Sequence, residues 1–269
     1  MSAATPGSTA WRERYGAWAV VTGATSGIGE AIAWELASNG LNVVLVARGA
    51  DRLHAVAAEM EARYAVRTLV VPADLSTLEG LDQVSTDTGP LDVGLFVAAA
   101  GFGTSGEFTR GNLRTEVDML DVNCRAVLVH AHCFGRRLVA RRRGGLVLLG
   151  SLVAHQGVPN AAHYAATKAY VQTLGEALHV EFAASGVDVL VCAPGPVHSG
   201  FASRAGMTMS SAVLPAAVAR ATIAALGRAG TVVPGPLSKL LTYSLAPLPR
   251  WARSRIMGII MANMTRSRP

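Results

Sequence analysis

Lysine is nearly absent from this chain. Only Lys168 and Lys239 occur among its 24 basic residues, and arginine carries the rest of the positive charge. Acidic residues stop at Asp188, whereas residues 236–269 carry Lys239, Arg250, Arg253, Arg255, Arg266 and Arg268, which together match the formal net charge of +6. The rest of the chain therefore balances to zero. A basic nucleic-acid face is a poor explanation of such a charge, no nucleic-acid partner is expected, and the tail needs its own account. Cysteine is also scarce. Cys124, Cys133 and Cys192 lie far apart in apolar runs without a Cys-x-x-Cys pair, which argues against a disulfide frame or a bound metal. The opening "MSAATPGSTAWRERYG" lacks the apolar core of a secretory signal, so a reducing, cytoplasmic location is expected.

What is present is a greasy, globular composition: 51% hydrophobic and 16% charged over 269 residues. That length fits one large domain. Apolar runs alternate with amphipathic stretches from "AWAVVTG" and "GIGEAIAWELASNG" onward, and the short strands are continuous Val/Leu runs, as when helices cover both sheet faces. The prediction is a single-domain α/β Rossmann fold, a doubly wound parallel sheet of about seven strands. Residues 1–15 are expected to be flexible, and residues 236–269 to form a basic, apolar, helical C-terminal extension.

"VVTGATSGIGEAIA" sets Gly23, Gly27 and Gly29 between the first strand and the first crossover helix. Glycine lets the backbone turn tightly and approach a pyrophosphate, which free N–H groups at the helix start then bind. Thr25 and Ser26 add hydroxyls, and Ile28 completes the loop. A carboxylate closing the second strand would hold the ribose of NAD. Here Ala47 takes that place with Arg48 beside it, and a guanidinium suits a 2′-phosphate, so NADP(H) is favoured over NAD(H). "PADLS" brings Asp74 and Leu75 to the adenine position.

Tyr164 and Lys168 stand four residues apart on one helix, so they share a face. With five tyrosines and two lysines, chance would give such a pair about 0.04 times, which makes the motif informative. An adjacent ammonium favours the phenolate, and the phenol is expected to titrate below its usual pKa and to serve as acid and base at a carbonyl. Ser151, at the end of the preceding strand, can hydrogen-bond the same oxygen. His155, His163 and His198 lie nearby without ligand spacing and carry no assigned role.

"TGATSGIG", "DVNCRA", "GS", "YAATK" and "APGPVHSGF", in this order over residues 17–235, resemble the short-chain dehydrogenase/reductase family, with hydroxysteroid and ketoacyl reductases as the nearest subgroup. The resemblance implies a catalytic tetrad of Asn123, Ser151, Tyr164 and Lys168. It also implies that Lys168 binds the nicotinamide ribose and that Asn123 supports a proton-relaying water. Pro194, Gly195 and Val197 would hold the carboxamide, and Ser199 stands where threonine is usual. One departure is large: the family's Asn-Asn-Ala-Gly reads "AAAG" over residues 98–101. Ala100 and Gly101 keep the close backbone approach to the cofactor, but two bracing amides are gone.

Phe102, Leu152, Val153, Phe201, Met207 and Met209 are expected to line an adaptable apolar pocket. No arginine pair or acidic cluster stands out to orient a small charged substrate, so a lipophilic ketone or aldehyde is expected. The tail is broken by Pro247 and Pro249 and does not read as a spanning helix. Three roles stay open for it: a cover over the substrate mouth, a contact between copies in a homo-oligomer, or a peripheral anchor on an anionic membrane. "RRLVARRRGG" reads as a solvated helix end whose cations complement the dipole. Two functions from different classes follow: an NADPH-dependent carbonyl reductase, and a non-turnover dinucleotide-binding regulatory or membrane-scaffold protein.

Overall fold

The computed structural model describes residues 6–207 and 212–265. Seven parallel strands, β1 (Trp18–Thr22), β2 (Asn42–Ala47), β3 (Thr68–Pro72), β4 (Val93–Ala98), β5 (Gly144–Leu149), β6 (Val187–Cys192) and β7 (Thr231–Val232), form one sheet in the order β3-β2-β1-β4-β5-β6-β7. Every residue of β1, β4 and β5 is buried, which is why these strands read as unbroken apolar runs. Alternate residues serve opposite faces. Ala19 and Val21 pack with Ile32, Leu53 and Val218 from α2 (Gly27–Ser38), α3 (Ala50–Tyr64) and α9 (Pro215–Ala225). Trp18 and Val20 pack with Leu81, Phe134 and Val171 from α4 (Leu78–Asp87), α6 (Ala126–Arg141) and α7 (Ala162–Ala183). The strand order reverses direction between β1 and β4, and a crevice at the carboxyl ends there is where such sheets hold ligands.

Part of the segment expected to be flexible folds as helix α1 (Pro6–Tyr15). Tyr15 is buried, its hydroxyl donates to Asp188, and Arg14 pairs with the same carboxylate at 2.8 Å. The reading of the basic run is corrected. Its arginines do not form a merely solvated face: Arg137 donates to the carbonyls of Thr88 and Leu91, Arg141 to Val93 O and Asp92, and Arg143 to Glu13 O. They tie the loop before β4 to the neighbouring elements, supplying acceptor-rich turns with donors that the backbone lacks.

The "AAAG" segment is held by Thr22. Its hydroxyl accepts from the N–H groups of both Ala99 and Ala100 at 3.1 Å and donates to Val97 O. One side chain at the end of β1 thus braces the "AAAG" segment.

Beyond the sheet, α5 (Leu113–Leu120) runs through a π-helical turn (Asp121–Arg125) directly into α6. The short α8 (Phe201–Ala205) follows β6 and precedes α9. The C-terminal extension folds as two helices, α10 (Pro236–Leu245) and α11 (Arg250–Thr265). Leu245, Met257 and Met261 join Met119, Leu152, Val153, Tyr164 and Met207 in a third apolar cluster. The tail therefore covers the expected catalytic region. Among the described residues no helix is long and apolar enough to cross a membrane.

Candidate active site

One cavity of about 890 Å³ runs along the carboxyl edge of the sheet. Its size falls within the range of sites for cofactors and drug-sized ligands. At one part of its wall the chain turns from β1 into α2. Gly23 and Gly27 have positive φ, and a Cβ on Gly23 would lie 2.9 Å from Ala100, so only glycine lets β1 and β4 approach this closely. A Cβ on Gly29 would lie against Gly23 O. Ser26 is the N-cap of α2 but makes no capping bond to it, and Ser26 and the first residues of the helix line the cavity, where their hydroxyl and N–H donors could meet an anion. Thr25, Ile28 and Ser199 line the same wall, with Ser199 Cβ 3.2 Å from the position a Gly27 Cβ would take.

Ala47 and Arg48 reach the cavity from the end of β2. Arg48 is exposed and makes no ion pair among the described residues. Asp74 and Leu75 face it from the end of β3. The Asp74 carboxylate accepts from Ser76 N and Oγ, and these bonds, with Arg48 nearby, hold its pKa below the usual value. Donors, a free guanidinium and a glycine cradle are what a dinucleotide phosphate requires, so the residues present fit that group.

Ser151, Tyr164 and Lys168 line the adjoining part of the wall. All three are buried. Ser151 follows β5 and caps the 3₁₀ turn Leu152–His155 by accepting from Val153 N, and its hydroxyl donates to Pro194 O at 3.5 Å. Lys168 Nζ donates to Leu149 O at 2.8 Å and lies 5.8 Å from the centroid of the Tyr164 ring. The expected fall in the Tyr164 pKa is not what this geometry yields. Burial pushes the phenol up to about 12 against the opposing bond from Ser151, and burial lowers the Lys168 ammonium to about 8. Desolvation outweighs the attraction because Lys168 is directed at a carbonyl and both groups lie away from water. At neutral pH the site holds a neutral phenol beside an ammonium.

Asn123 behaves differently from the other three. It sits in the π-helical turn, behind the cavity wall. Its Oδ1 accepts from Phe102 N at 3.1 Å, and its Nδ2 donates to Phe102 O and Thr167 Oγ1 at 2.9 and 3.1 Å. A single amide thus clamps both backbone groups of Phe102, next to Gly101, where an added Cβ would meet Asn123 Oδ1 at 2.9 Å. The π-turn supplies the extra residue that turns Asn123 toward this loop, a use common to such bulges.

Pro194, Gly195 and Val197 line the cavity after β6, with Phe102, Leu152, Val153, Phe201 and Met207. The Phe201 and Tyr164 rings are 5.4 Å apart. Met209 lies outside the described residues. His163 is tied to Glu116 O at 3.0 Å, away from any ligand role. Of the roles left open for the tail, a cover over the substrate mouth matches the geometry: Leu241, Met257, Ile260, Met261 and Met264, which sequence reasoning did not single out, complete the apolar lining. The spacing of Met257, Met261 and Met264 matches one helix face and would have shown it. Sequence reasoning also missed Arg114, Asp118 and Arg204, which line the cavity and add charge to a wall expected to lack it.

Residues 17–209 match the sequence profile of the short chain dehydrogenase family. A 7beta-hydroxysteroid dehydrogenase of Clostridium sardiniense is 34% identical over 185 residues, covering 69% of this chain and 71% of that protein. Several other curated relatives are longer, and the chain spans 54% to 59% of their length. Among solved structures, one described for the stereoselectivity of 7beta-hydroxysteroid dehydrogenase superposes with a TM-score of 0.85 at 28% identity, over 91% of this chain and 98% of that one. A short-chain dehydrogenase from Sphingobium yanoikuyae in complex with NADPH gives 0.79 at 27% identity, over 89% and 94%.

Proposed function

The chain belongs to the short-chain dehydrogenase family of NAD(P)-dependent oxidoreductases, and on that premise we propose that it is an NADPH-dependent carbonyl reductase acting on lipophilic ketones or aldehydes. The observation that carries the reading is a single cavity in which the glycine turn and Arg48 adjoin Tyr164, Ser151 and Lys168 and an apolar lining from Phe102 to Met264. Thr25, Ser26 and the first N–H groups of α2 would hold the pyrophosphate. Arg48 would hold a 2′-phosphate, with uncharged Ala47 adding no repulsion. Lys168 would reach the nicotinamide ribose, and Pro194, Gly195 and Val197 the carboxamide. The relative in complex with NADPH supports the choice of dinucleotide.

A reduced dinucleotide, when bound, supplies hydride to the carbonyl carbon. Ser151 donates a hydrogen bond to the carbonyl oxygen as negative charge gathers there. Tyr164, neutral because burial raises its pKa to about 12, gives that oxygen its proton. Lys168, still protonated at pH 7 with a pKa near 8, stabilises the phenolate left behind. Asn123 holds the Phe102 backbone and so keeps the wall facing the reacting oxygen in place. In the oxidative direction the same groups act in reverse.

The test is NADPH oxidation over a panel of aliphatic, aromatic, steroid and acyl-thioester carbonyls. Turnover that rises with apolar size is expected. Tight NADPH binding without turnover across the panel would instead establish the regulatory or scaffold reading.

A further inference from the structure

Helices α10 and α11 each turn one side into the cavity, through Leu241 and through Met257, Ile260, Met261 and Met264. In a freely dissolved domain the opposite sides would be polar. Here Leu240 and Tyr243 of α10 are 64% and 67% exposed, and Trp251 and Ile259 of α11 are 65% and 66% exposed. Their spacings, three residues on α10 and eight on α11, place each pair on one helix face. The charged residues beside them are all cationic: Lys239, Arg250 and Arg255, with Arg255 lying over the Trp251 ring at 5.6 Å. Among the described residues none of these three forms an ion pair. The last acid of the chain, Asp188, is already bound to Arg14 and Tyr15.

We propose that the outward faces of α10 and α11 seat the protein on an anionic lipid surface. Trp251, Tyr243, Leu240 and Ile259 enter the boundary between headgroups and acyl chains, and Lys239, Arg250 and Arg255 meet the lipid phosphates. Charge decides between this occupant and a second copy of the chain. A twofold contact through these faces would set the cations of α10 and α11 against their own copies with no carboxylate in either helix, whereas an anionic bilayer supplies the missing counter-charge. Trp and Tyr also favour the interfacial layer, being apolar in body and polar at the tip. If the carbonyl reductase reading holds, the cavity lined by the inner sides of the same helices lies beside the bilayer that dissolves its substrates.

The experiment is sedimentation of the full-length protein with vesicles of phosphatidylcholine alone and of phosphatidylcholine with one-third phosphatidylglycerol. Binding about tenfold tighter to the anionic vesicles is expected, weakening as salt rises. Replacing Trp251 and Ile259 together by serine, or Lys239, Arg250 and Arg255 together by glutamate, should remove most of that binding. The thermal midpoint and the NADPH affinity of both variants should stay near wild type, which separates a lost lipid contact from a lost fold. Equal partitioning into both vesicle types, or no binding to either, overturns the proposal. So does light scattering in which the same variants turn a dimer into a monomer while vesicle binding stays at the wild-type level. None of these readouts requires turnover, so failure here leaves the reductase reading standing.

Discussion

The neutral Tyr164 and the ammonium of Lys168 are both shaped by burial, and their titrations run in opposite directions. Lysine with a folded pKa of about 8 against 10.5 when unfolded binds fewer protons in the fold between those values, so this residue makes stability rise as pH climbs from about 8 to 10.5. Below that window the buried ammonium costs on the order of 3 kcal/mol. Lys168→Met should therefore abolish most turnover while leaving the thermal midpoint at pH 7 equal or higher, and should flatten the stability profile between pH 8 and 10.5. A large drop in the midpoint at pH 7 would show that the Leu149 bond outweighs desolvation. Activity should follow the same group. The kcat/KM for carbonyl reduction reports on the free enzyme and is expected to fall above an apparent pKa near 8. At the other end of the cavity, Arg48→Ala should raise the KM for NADPH about tenfold or more and leave that for NADH nearly unchanged. Equal effects on the two would remove the 2′-phosphate assignment. Lys168 was legible in the sequence because lysine is so scarce, and Arg48 because no acid takes the place of Ala47. The direction of the Tyr164 shift was not, because it depends on how deeply both groups are buried.

At the level of elements, the strand–helix alternation was legible from the Val/Leu runs; of the three glycines, Gly23 lies in the first turn, and Gly27 and Gly29 open α2 itself. Two features depended on contacts that spacing does not encode. Thr22 looks like one more β-branched strand residue until its hydroxyl is seen to hold Ala99 and Ala100. Thr22→Val keeps the shape but strands those two N–H groups, and should cost about 1–3 kcal/mol in urea unfolding. The π-helical turn at Asn123 is likewise invisible to periodicity, since one extra residue changes which face a side chain takes. The tail reads as basic, apolar and helical, with a cover over the substrate mouth among its open roles, but that reading does not pick out the methionine stripe facing the cavity although its spacing carries it. Met257→Ala with Met261→Ala should raise KM about tenfold for the largest apolar carbonyls with little change in kcat, because these residues bind ground and transition states alike. A matched fall in kcat would place them closer to the reacting atoms than the lining suggests.

As a whole, the molecule brings its candidate site residues together where three layers meet. The sheet delivers the glycine turn, Arg48, Asp74 and Ser151 at its carboxyl edge; α7 delivers Tyr164 and Lys168; and the C-terminal pair closes the apolar end. Family membership was legible from ordered motifs spread over most of the chain, and it fixed the fold class and the reaction type. Substrate class rests on the apolar part of the cavity lining, to which a tail outside those motifs contributes Leu241, Met257, Ile260, Met261 and Met264. The central claim is that Tyr164 is the proton donor in that cavity, and it is tested most directly by comparing Tyr164→Phe with wild type for single-turnover carbonyl reduction and for NADPH affinity. Removal of only the phenol oxygen is expected to slow reduction by about 10²–10⁴-fold while the NADPH Kd changes less than about threefold. Reduction at the wild-type rate by a variant that binds NADPH normally would contradict the assignment.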